Sequence, residues 1–363
     1  MIHTNKRKKE VLIVRVRAWS KETILPQRLD FVMNLIQKNV KVKYFDIQPE
    51  RKLGYYLGYL FSFLYSYPKL LFTSCDSVIL ENPYLVIFSP IFKLRRKNII
   101  AEYVDFYPAN LNRLKKERFF RFQVAKIVCR IFHKFVDIIT TESETGRRTL
   151  KHWSVPDEQL AIVPHGVNTQ KMIFSQEQRS KLRKKYQISD STLVIGYLGK
   201  MVKFYSLENI LHSIALVNQQ KYKIQTIFVG DGPFKENLEA LSKELQLDVI
   251  FTGRIPHEEV FGYYSMMDLF IFPLNSLAIK IGEILSINGP ILIVTRGMAE
   301  DWITDNANGI VAKGSKPIEL KNAIERTIHM SPEARKKLSS NQREYALSHL
   351  DRRIIAKKYL MLV

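Results

Sequence analysis

The sequence predicts an α/β protein of two domains, and two observations carry this prediction. Short apolar segments alternate along the chain with segments of helical periodicity, which is typical of a parallel sheet flanked by helices. This rhythm occurs once before and once after a polar, charged stretch at residues 170–185, which indicates a domain junction at about residues 168–190. A chain of 363 residues is long enough for two domains, each with its own hydrophobic core.

In the N-terminal half, the rhythm begins with an apolar strand at residues 11–16 and a helix at residues 27–37. Residues 40–45 alternate between apolar and polar side chains, which predicts a strand with one solvated face. Four later strands are predicted at residues 77–80, 98–104, 138–141 and 160–163.

Two segments of this half depart from the rhythm. Residues 53–67 carry no charge, are rich in tyrosine and phenylalanine, and precede Pro68, where we expect the segment to end. They are short for a membrane span of about 20 residues, so they form either a buried helix or an interfacial segment among lipid headgroups. Residues 118–136 place Lys126, Arg130 and Lys134 on one face of an otherwise apolar helix.

That basic helix is either an ordinary domain helix with a solvated face or, together with residues 53–67, a membrane-facing acceptor surface. We predict peripheral docking on an anionic membrane surface, without insertion. The candidate contacts to the acceptor or the membrane are Trp19, Tyr59, Phe63, Arg121, Lys126 and Arg130.

In the C-terminal half, a predicted strand at residues 193–198 runs into Gly199 and Lys200 before a helix at residues 207–217. A strand-to-helix turn presents free backbone N–H groups and the positive end of a helix dipole, which suits a phosphate. Further strands are predicted at residues 226–229, 269–272 and 291–294. A long amphipathic helix is predicted for residues 332–363.

The loop after residues 269–272 leads into a predicted helix that carries Lys280 and Glu283. Side chains three residues apart share a face of a helix. A cation for phosphates beside a carboxylate for ribose hydroxyls suits a nucleoside diphosphate. The alternative is a solvated ion pair on a surface helix, which contributes only about 0.2–0.5 kcal/mol.

Composition excludes several classes of protein and leaves the high charge to be explained. The net charge of +21 favours nucleic acid, anionic lipid or phosphorylated substrates as partners, and the sequence contains no nucleic-acid-binding signature. Neither G-x-G-x-x-G nor D-x-D occurs, so dinucleotide binding and a metal-clamped diphosphate lack their usual motifs. Cys75 and Cys129 have no metal-ligand spacing, and the first residues lack a signal-peptide core, which predicts a cytoplasmic protein.

Residues 273–290 resemble the E-x7-E region of the retaining GT-B glycosyltransferases of family four (glycosyl transferases group 1). In its sub-pattern P-L-K-[LI]-x-E-x-x-x-x-G-x-P, Lys280 stands at the lysine and Glu283 at the second glutamate, while Asn275 stands at the first glutamate. Residues 226–233 match the family's G-D-G-P segment, and residues 249–257 match F-x-G-x-x-P.

The same family resemblance extends into the N-terminal half. Residues 161–168 resemble P-N-G-V-D, with His165 at the asparagine, and residues 100–108 resemble D-x-H-D-x-[YF]-P. In the latter segment Asp105 stands at an aspartate and Val104 at the histidine. A carboxylate at a strand end could orient or deprotonate an acceptor hydroxyl, or simply cap the following segment. The resemblance covers nearly the whole chain and is strongest from about residue 160 to 350.

The resemblance implies a GT-B architecture, in which two Rossmann-like domains face a central cleft and the C-terminal helix returns to the N-terminal domain. The implied divisions are an acceptor domain at residues 1–168, a nucleotide-sugar domain at residues 169–335 and a C-terminal helix at residues 336–363. The implied activity is retaining transfer of a hexose, without a metal or other cofactor, from a UDP- or GDP-sugar to a lipid-linked or polysaccharide-precursor acceptor. Such a protein would act at the inner face of the cell membrane.

The resemblance also implies roles for particular residues. The implied catalytic residues are Asp105, Lys200 and Lys280. The implied donor-binding residues are Gly199, Lys203, Gly230, Arg254, Ile255, Asn275, Ser276, Leu277 and Glu283. A second hypothesis, a non-catalytic GT-B subunit that scaffolds or regulates a partner transferase, rests on the departures at Asn275, Val104 and Tyr205.

Overall fold

The computed structural model describes residues 8–16, 28–48, 54–103, 116–217, 222–274 and 279–363. The chain folds into two compact units: unit 1 comprises Met1–Gly166 and Arg352–Val363, and unit 2 comprises Val167–Asp351. Each unit contains a six-stranded parallel sheet, so the predicted α/β fold class is confirmed. The domain boundaries inferred from the sequence stay a prediction.

The elements follow one another along the chain in the alternating order that the sequence predicts. The strands are β1 (Glu10–Val16), β2 (Lys41–Ile47), β3 (Ser77–Leu80), β4 (Asn98–Tyr103), β5 (Ile138–Thr141), β6 (Leu160–Ile162), β7 (Leu193–Leu198), β8 (Ile224–Val229), β9 (Val249–Phe251), β10 (Leu269–Phe272), β11 (Ile291–Thr295) and β12 (Ile310–Ala312). The helices are α1 (Arg28–Ile36), α2 (Gly54–Phe72), α3 (Ser89–Leu94), α4 (Lys116–Phe132), α5 (Glu144–His152), α6 (Gln176–Lys185), α7 (Glu208–Leu216), α8 (Lys235–Glu244), α9 (Val260–Met266), α10 (Ile279–Ile287), α11 (Pro317–Ile328), α12 (Pro332–Tyr345) and α13 (Arg352–Leu362).

Unit 1 has the strand order β2–β1–β3–β4–β5–β6, with apolar residues buried on both faces of the sheet. One face packs against α1 and α13, and their shared core includes Met33 and Ile355. The other face is covered by α2, α3, α4 and the 3-10 helix Pro83–Phe88, with Leu70, Phe88 and Phe92 in the core. Burial on both faces is what a parallel sheet requires.

Helix α2 continues for a full turn beyond the point where the sequence predicts its end. Pro68 lies inside the helix, although it lacks the N–H that an interior position uses. The extra turn is stabilised by packing, because Leu70 is fully buried, and by Arg95, whose guanidinium donates to the carbonyls of Leu70 and Thr73. Tertiary contacts therefore override the local stop signal.

The chain from residue 332 to the end is two helices, not the single long helix that the sequence predicts. Helix α12 is followed by a π-helical turn at Ala346–Leu350, and the backbone is extended at Asp351 before α13 begins. Within unit 2, Asp351 pairs with Val167 as an isolated β-bridge, and its carboxylate accepts a hydrogen bond from Thr169. These contacts hold the break in place, and α13 alone, without α12, belongs to unit 1.

Unit 2 has the strand order β12–β11–β10–β7–β8–β9. Asp268, which precedes β10, joins α6 to this sheet: its two carboxylate oxygens accept from Arg179 and Arg183 at 2.7 Å each. The same carboxylate accepts from the backbone N–H of Val194 at 2.8 Å. Arg183 is almost fully buried, so Asp268 neutralises a cation inside the core.

Candidate functional site

The carboxyl end of β7 makes a tight turn around Gly199. Its φ of +149° is a backbone conformation that L side chains rarely adopt, and its N–H donates to the carbonyl of Val229 at 2.8 Å. A Cβ atom at this position would lie 2.8 Å from Cε of Lys280 and 2.9 Å from the hydroxyl of Tyr197. The missing side chain at Gly199 therefore leaves room for the lysine.

Lys280 reaches Gly199 because β10 pairs directly with β7 in the sheet. Helix α10 begins soon after β10 ends, and Lys280 is its second residue. Its ammonium group lies 5.7 Å from the ring centroid of Tyr197 and 5.8 Å from that of Tyr205, within the range of cation–π interactions. Burial lowers the pKa of Lys280, while the nearby Glu283 carboxylate opposes this shift.

Glu283 lies one turn after Lys280 and is buried, with 7% of its surface exposed. The hydroxyl of Tyr264 donates to Oε2 of Glu283 at 3.1 Å. Burial raises the pKa of Tyr264 well above its usual value, with a further contribution from Glu283, so this hydroxyl remains a donor. The structure therefore contradicts the alternative that Lys280 and Glu283 are a solvated pair on the surface.

The other predicted donor residues within the described ranges lie at the carboxyl ends of β7, β8 and β9, three consecutive strands. Gly230 follows β8 with a φ of +125°, and its N–H donates to the carbonyl of Gly253 at 2.9 Å. Lys200 and Lys203 follow β7 and are exposed. Arg254, which is exposed, and Ile255, which is partly buried, follow β9. The described residues contain no cluster of three or more His, Cys, Asp or Glu side chains suited to a metal ion.

Several candidate residues lie outside the part of the chain that the structure describes. These are Trp19, Asp105, Asn275, Ser276 and Leu277. Tyr59 lies in α2 and Arg121 in α4, in stretches whose side chains the structure does not describe.

In unit 1, helices α2, α3 and α4 present large apolar side chains to solvent, which we call the apolar–basic face. Its apolar members are Phe61, Leu64, Tyr65, Leu71, Phe72, Leu94, Ile127 and Ile131. Phe72, the last residue of α2, is 82% exposed, and Leu94, the last residue of α3, is 85% exposed. Arg95, which follows α3, donates hydrogen bonds to carbonyls at the end of α2. Exposed basic side chains lie among them, at Lys69, Lys93, Arg96 and Arg130.

The candidate surface residues divide between the interior of unit 1 and this face. The ring of Phe63 is partly buried and packs edge-to-face on Phe88 at 5.6 Å, and its contact with an acceptor or membrane stays a prediction. Lys126 is partly exposed on α4, one helical turn before Arg130. None of the helices in the described ranges is both long and apolar enough to cross a lipid bilayer.

The sequence prediction missed the tyrosines around Lys280 and Glu283. Tyr197, Tyr205 and Tyr264 come from three separate segments of unit 2, and only the sheet order brings them to α10. A local signal existed for Tyr197 alone, because an aromatic residue near the end of a buried strand lies close to the ligand edge of a parallel sheet.

Part of this chain is similar in sequence to known glycosyltransferases. The family model described as glycosyl transferases group 1 matches residues 178–345, which lie within unit 2. A GDP-mannose-dependent alpha-(1-6)-phosphatidylinositol monomannoside mannosyltransferase of Mycolicibacterium smegmatis is 23% identical over 212 residues, 55% of each chain. An alpha-monoglucosyldiacylglycerol synthase of Streptococcus pneumoniae is 26% identical over 242 residues, 65% of this chain and 54% of that protein. The chain spans about half the length of the curated relatives it matches.

The fold as a whole is shared with solved glycosyltransferase structures. The crystal structure of Anabaena Alr3699/HepE in complex with UDP superposes with a TM-score of 0.75 at 15% identity, covering 97% of this chain and 98% of that one. Residues 178–345 match the group 1 glycosyltransferase model, and the likeness across nearly the full chain shows that the protein shares the GT-B fold.

Proposed function

We propose that the protein is a retaining glycosyltransferase that moves a hexose from a UDP- or GDP-sugar to a lipid-linked or glycan acceptor. The observation that carries this proposal is the position of Lys280 against Gly199, with the buried Glu283 one turn further along α10. A partly buried ammonium at the first turn of a helix is a site for an anion, and a diphosphate supplies one.

Each donor residue then has a physical role. Lys280, Lys200 and Lys203 neutralise the leaving diphosphate, and the turn at Gly199 lets phosphate oxygens approach the backbone. Glu283 accepts hydrogen bonds from the ribose hydroxyls. The carboxyl ends of β8 and β9, at Gly230, Arg254 and Ile255, border the base, and Asn275, Ser276 and Leu277 contact the sugar. These groups supply the charge that the leaving group requires, so the proposed reaction uses neither a metal nor another cofactor.

On the acceptor side we propose that unit 1 docks on an anionic membrane surface through the apolar–basic face, with Asp105 orienting the acceptor hydroxyl. Isolated exposed apolar residues are common, whereas a group of eight on three helices of one face marks an interaction surface. The net charge of +21 and the lysines and arginines within the face favour anionic lipid. The names of two relatives give a phosphatidylinositol mannoside and a diacylglycerol product, which supports a lipid acceptor.

We place this surface at the cytoplasmic face of the membrane. Cys75 and Cys129 are free thiols, buried in unit 1, which is consistent with a reducing compartment. Fractionation of cells into cytosol, membranes and secreted protein tests this placement, and recovery from the secreted fraction would contradict it.

The activity is tested by incubating the protein with a panel of UDP- and GDP-sugars and phosphatidylglycerol vesicles that contain diacylglycerol or phosphatidylinositol. We expect nucleotide release and a glycolipid product with one donor, retention of anomeric configuration by NMR, and the same rate in EDTA. Absence of nucleotide binding and of release across the panel would refute the proposal.

Membrane docking is tested by co-sedimentation with phosphatidylglycerol and phosphatidylcholine vesicles. Replacing Phe72 and Leu94 together by serine removes two side chains whose burial contributes about 1.5–3 kcal/mol each, so we expect at least a tenfold weaker partition. Leu216→Ser, at a residue 52% exposed on α7 of unit 2, is the matched control and should partition as the wild type does. Equal partition of all three proteins would contradict docking through this face.

The alternative of a non-catalytic subunit makes the opposite prediction in the same assay. Wild-type turnover excludes it. No turnover by the wild type, followed by a large gain on Asn275→Glu, would favour it.

A further inference from the structure

A buried tyrosine from the neighbouring helix contacts the carboxylate of Glu283. Tyr264 lies in α9, which packs against α10, and its side chain is fully buried. Its hydroxyl donates to Oε2 of Glu283 at 3.1 Å, and this hydrogen bond is itself buried. Tyr264 therefore meets Glu283 from the protein interior and lies too deep to contact a ligand itself.

The ring of Tyr264 is held by Phe270 of β10, the strand that precedes α10. The two rings pack edge-to-face with their centroids 5.5 Å apart. Tyr197, whose ring lies below the Lys280 ammonium, stacks on Phe270 as well, at 6.4 Å. Phe270 is fully buried, and close-packed interior side chains hold defined rotamers. This packing fixes the Tyr264 hydroxyl against Glu283.

The hydrogen bond restricts the carboxylate of Glu283. A glutamate side chain is flexible and loses conformational freedom when it binds a ligand. A donor fixed in the interior removes part of that freedom before the ligand arrives. Burial raises the pKa of Tyr264 well above its usual value, so the hydroxyl keeps its proton and remains a donor. The carboxylate is therefore already oriented in the unliganded protein.

We propose that Tyr264 is a positioning residue that holds Glu283 in the orientation in which its carboxylate accepts the ribose hydroxyls, so that the site selects ribonucleotides over dideoxyribonucleotides. This inference rests on the proposed function, which assigns the ribose to Glu283. A carboxylate accepts two hydrogen bonds side by side only when its plane is correctly oriented. A dideoxyribose supplies neither donor, and burial limits the water that could replace them, so discrimination follows.

The deciding variant is Tyr264→Phe, which removes the hydroxyl and keeps the ring on Phe270. The matched control is Tyr263→Phe, at the preceding residue of α9, which is 2% exposed and whose hydroxyl lies 3.1 Å from that of Tyr186. Each variant removes one hydroxyl hydrogen bond from the same helix, and only Tyr264→Phe removes it from Glu283. A third variant, Glu283→Gln, removes the charge of the carboxylate itself.

Calorimetry on the full chain measures the Kd for UDP and GDP and for their dideoxyribose counterparts, and thermal melting measures Tm. The ratio of the dideoxy Kd to the ribonucleotide Kd reports the contacts to the ribose hydroxyls, and a general loss of stability leaves this ratio unchanged. For the nucleotide that the wild type binds, we expect a ratio of about 100. The ratio should fall to about 10 in Tyr264→Phe and to about 1 in Glu283→Gln. Tyr263→Phe should keep the wild-type ratio, whatever its Tm.

A wild-type ratio in Tyr264→Phe would overturn the proposal, and so would a higher one, because the tyrosine would then compete with the ribose for the carboxylate. An equal fall in Tyr263→Phe would overturn it too, since the ratio would then follow the packing of α9. A wild type that binds the ribonucleotide and its dideoxy counterpart equally would refute this inference and leave nucleotide binding in support of the proposed function. A wild type that binds neither UDP nor GDP refutes the proposed function itself.

Discussion

Replacing Lys280 by methionine should weaken nucleotide binding and stabilise the fold at the same time. Methionine has a similar length and no charge, so it fills the space beside Gly199 and removes the ammonium. Burial lowers the pKa of Lys280 despite the opposing effect of Glu283, so the net effect of the folded protein is to disfavour the charged form. Losing that charge therefore removes a cost from the unliganded protein.

The expected loss of nucleotide affinity and the expected gain in fold stability differ in size. A charge-assisted hydrogen bond to a phosphate contributes about 1.5–3 kcal/mol, so its loss should weaken nucleotide binding by about 10- to 150-fold. Replacing a poorly solvated charge by an apolar side chain stabilises by about 1 kcal/mol, or roughly 2–4 °C in Tm for a unit of this size. A residue that only supported the fold would lose stability and keep its affinity.

The pH dependence follows from the direction of the same shift. The folded pKa of Lys280 lies below the unfolded value of 10.5, so between the two the unfolded chain binds more protons and stability rises with pH. The cost is fully present below the folded pKa and is absent above about pH 10.5. The excess stability of Lys280→Met should accordingly shrink toward that pH.

Calorimetry with UDP and GDP, together with thermal melting at several pH values, measures both effects. Lys243→Met, at an exposed position on α8, is the matched control and should change neither affinity nor Tm. A Lys280→Met protein with wild-type nucleotide affinity, or with a lower Tm and unchanged binding, would refute this account of the site.

Three further perturbations test other parts of the structure. Gly199→Ala should reduce nucleotide affinity at least tenfold, because the new Cβ displaces the Lys280 ammonium, and calorimetry measures it. Asp268→Ala should lower the free energy of unfolding in urea by about 3–5 kcal/mol, since it leaves Arg183 buried without its counter-charge; a loss below 1 kcal/mol would contradict this. Hydrogen bonds from Lys43 and Lys41 are the largest cause that lowers the pKa of Glu10 to about 2. The ionised Glu10 therefore contributes to the free energy of unfolding above pH 4.5, and this contribution is lost as the pH falls toward 2. Glu10→Gln should not show this loss.

The fold was largely predictable because its local signals agree with its packing. Strands β3 and β5 begin and end at the residues that the sequence predicts, and their residues are uncharged and mostly buried, as in other parallel sheets. The predictions were wrong where a distant contact outweighed a local signal. Pro68 does not end α2, because Leu70 and Arg95 stabilise the next turn. The tail breaks at Asp351, because that residue bonds to a segment more than 180 residues earlier.

The sequence indicates candidate residues for the site, and their arrangement could not be predicted from it. Spacing alone could not distinguish Lys280 and Glu283 from a solvated pair, because both arrangements use one face of a helix. What separates them is the pairing of β10 with β7, which brings a helix and a turn some 80 residues apart into contact. The same limit applies to Tyr264 and Glu283, which meet because α9 packs against α10.

The position of Lys280 argues for a ligand independently of the resemblance to a family. A cation in the first turn of a helix opposes the helix dipole, and partial burial adds a desolvation cost. The rings of Tyr197 and Tyr205 offset part of this cost, yet the pKa remains lowered. An anion at the start of α10 would be favoured by the dipole and the ammonium together. Local rules broken in one place are expected at a binding site, and a phosphate bound at the start of α10 would restore them.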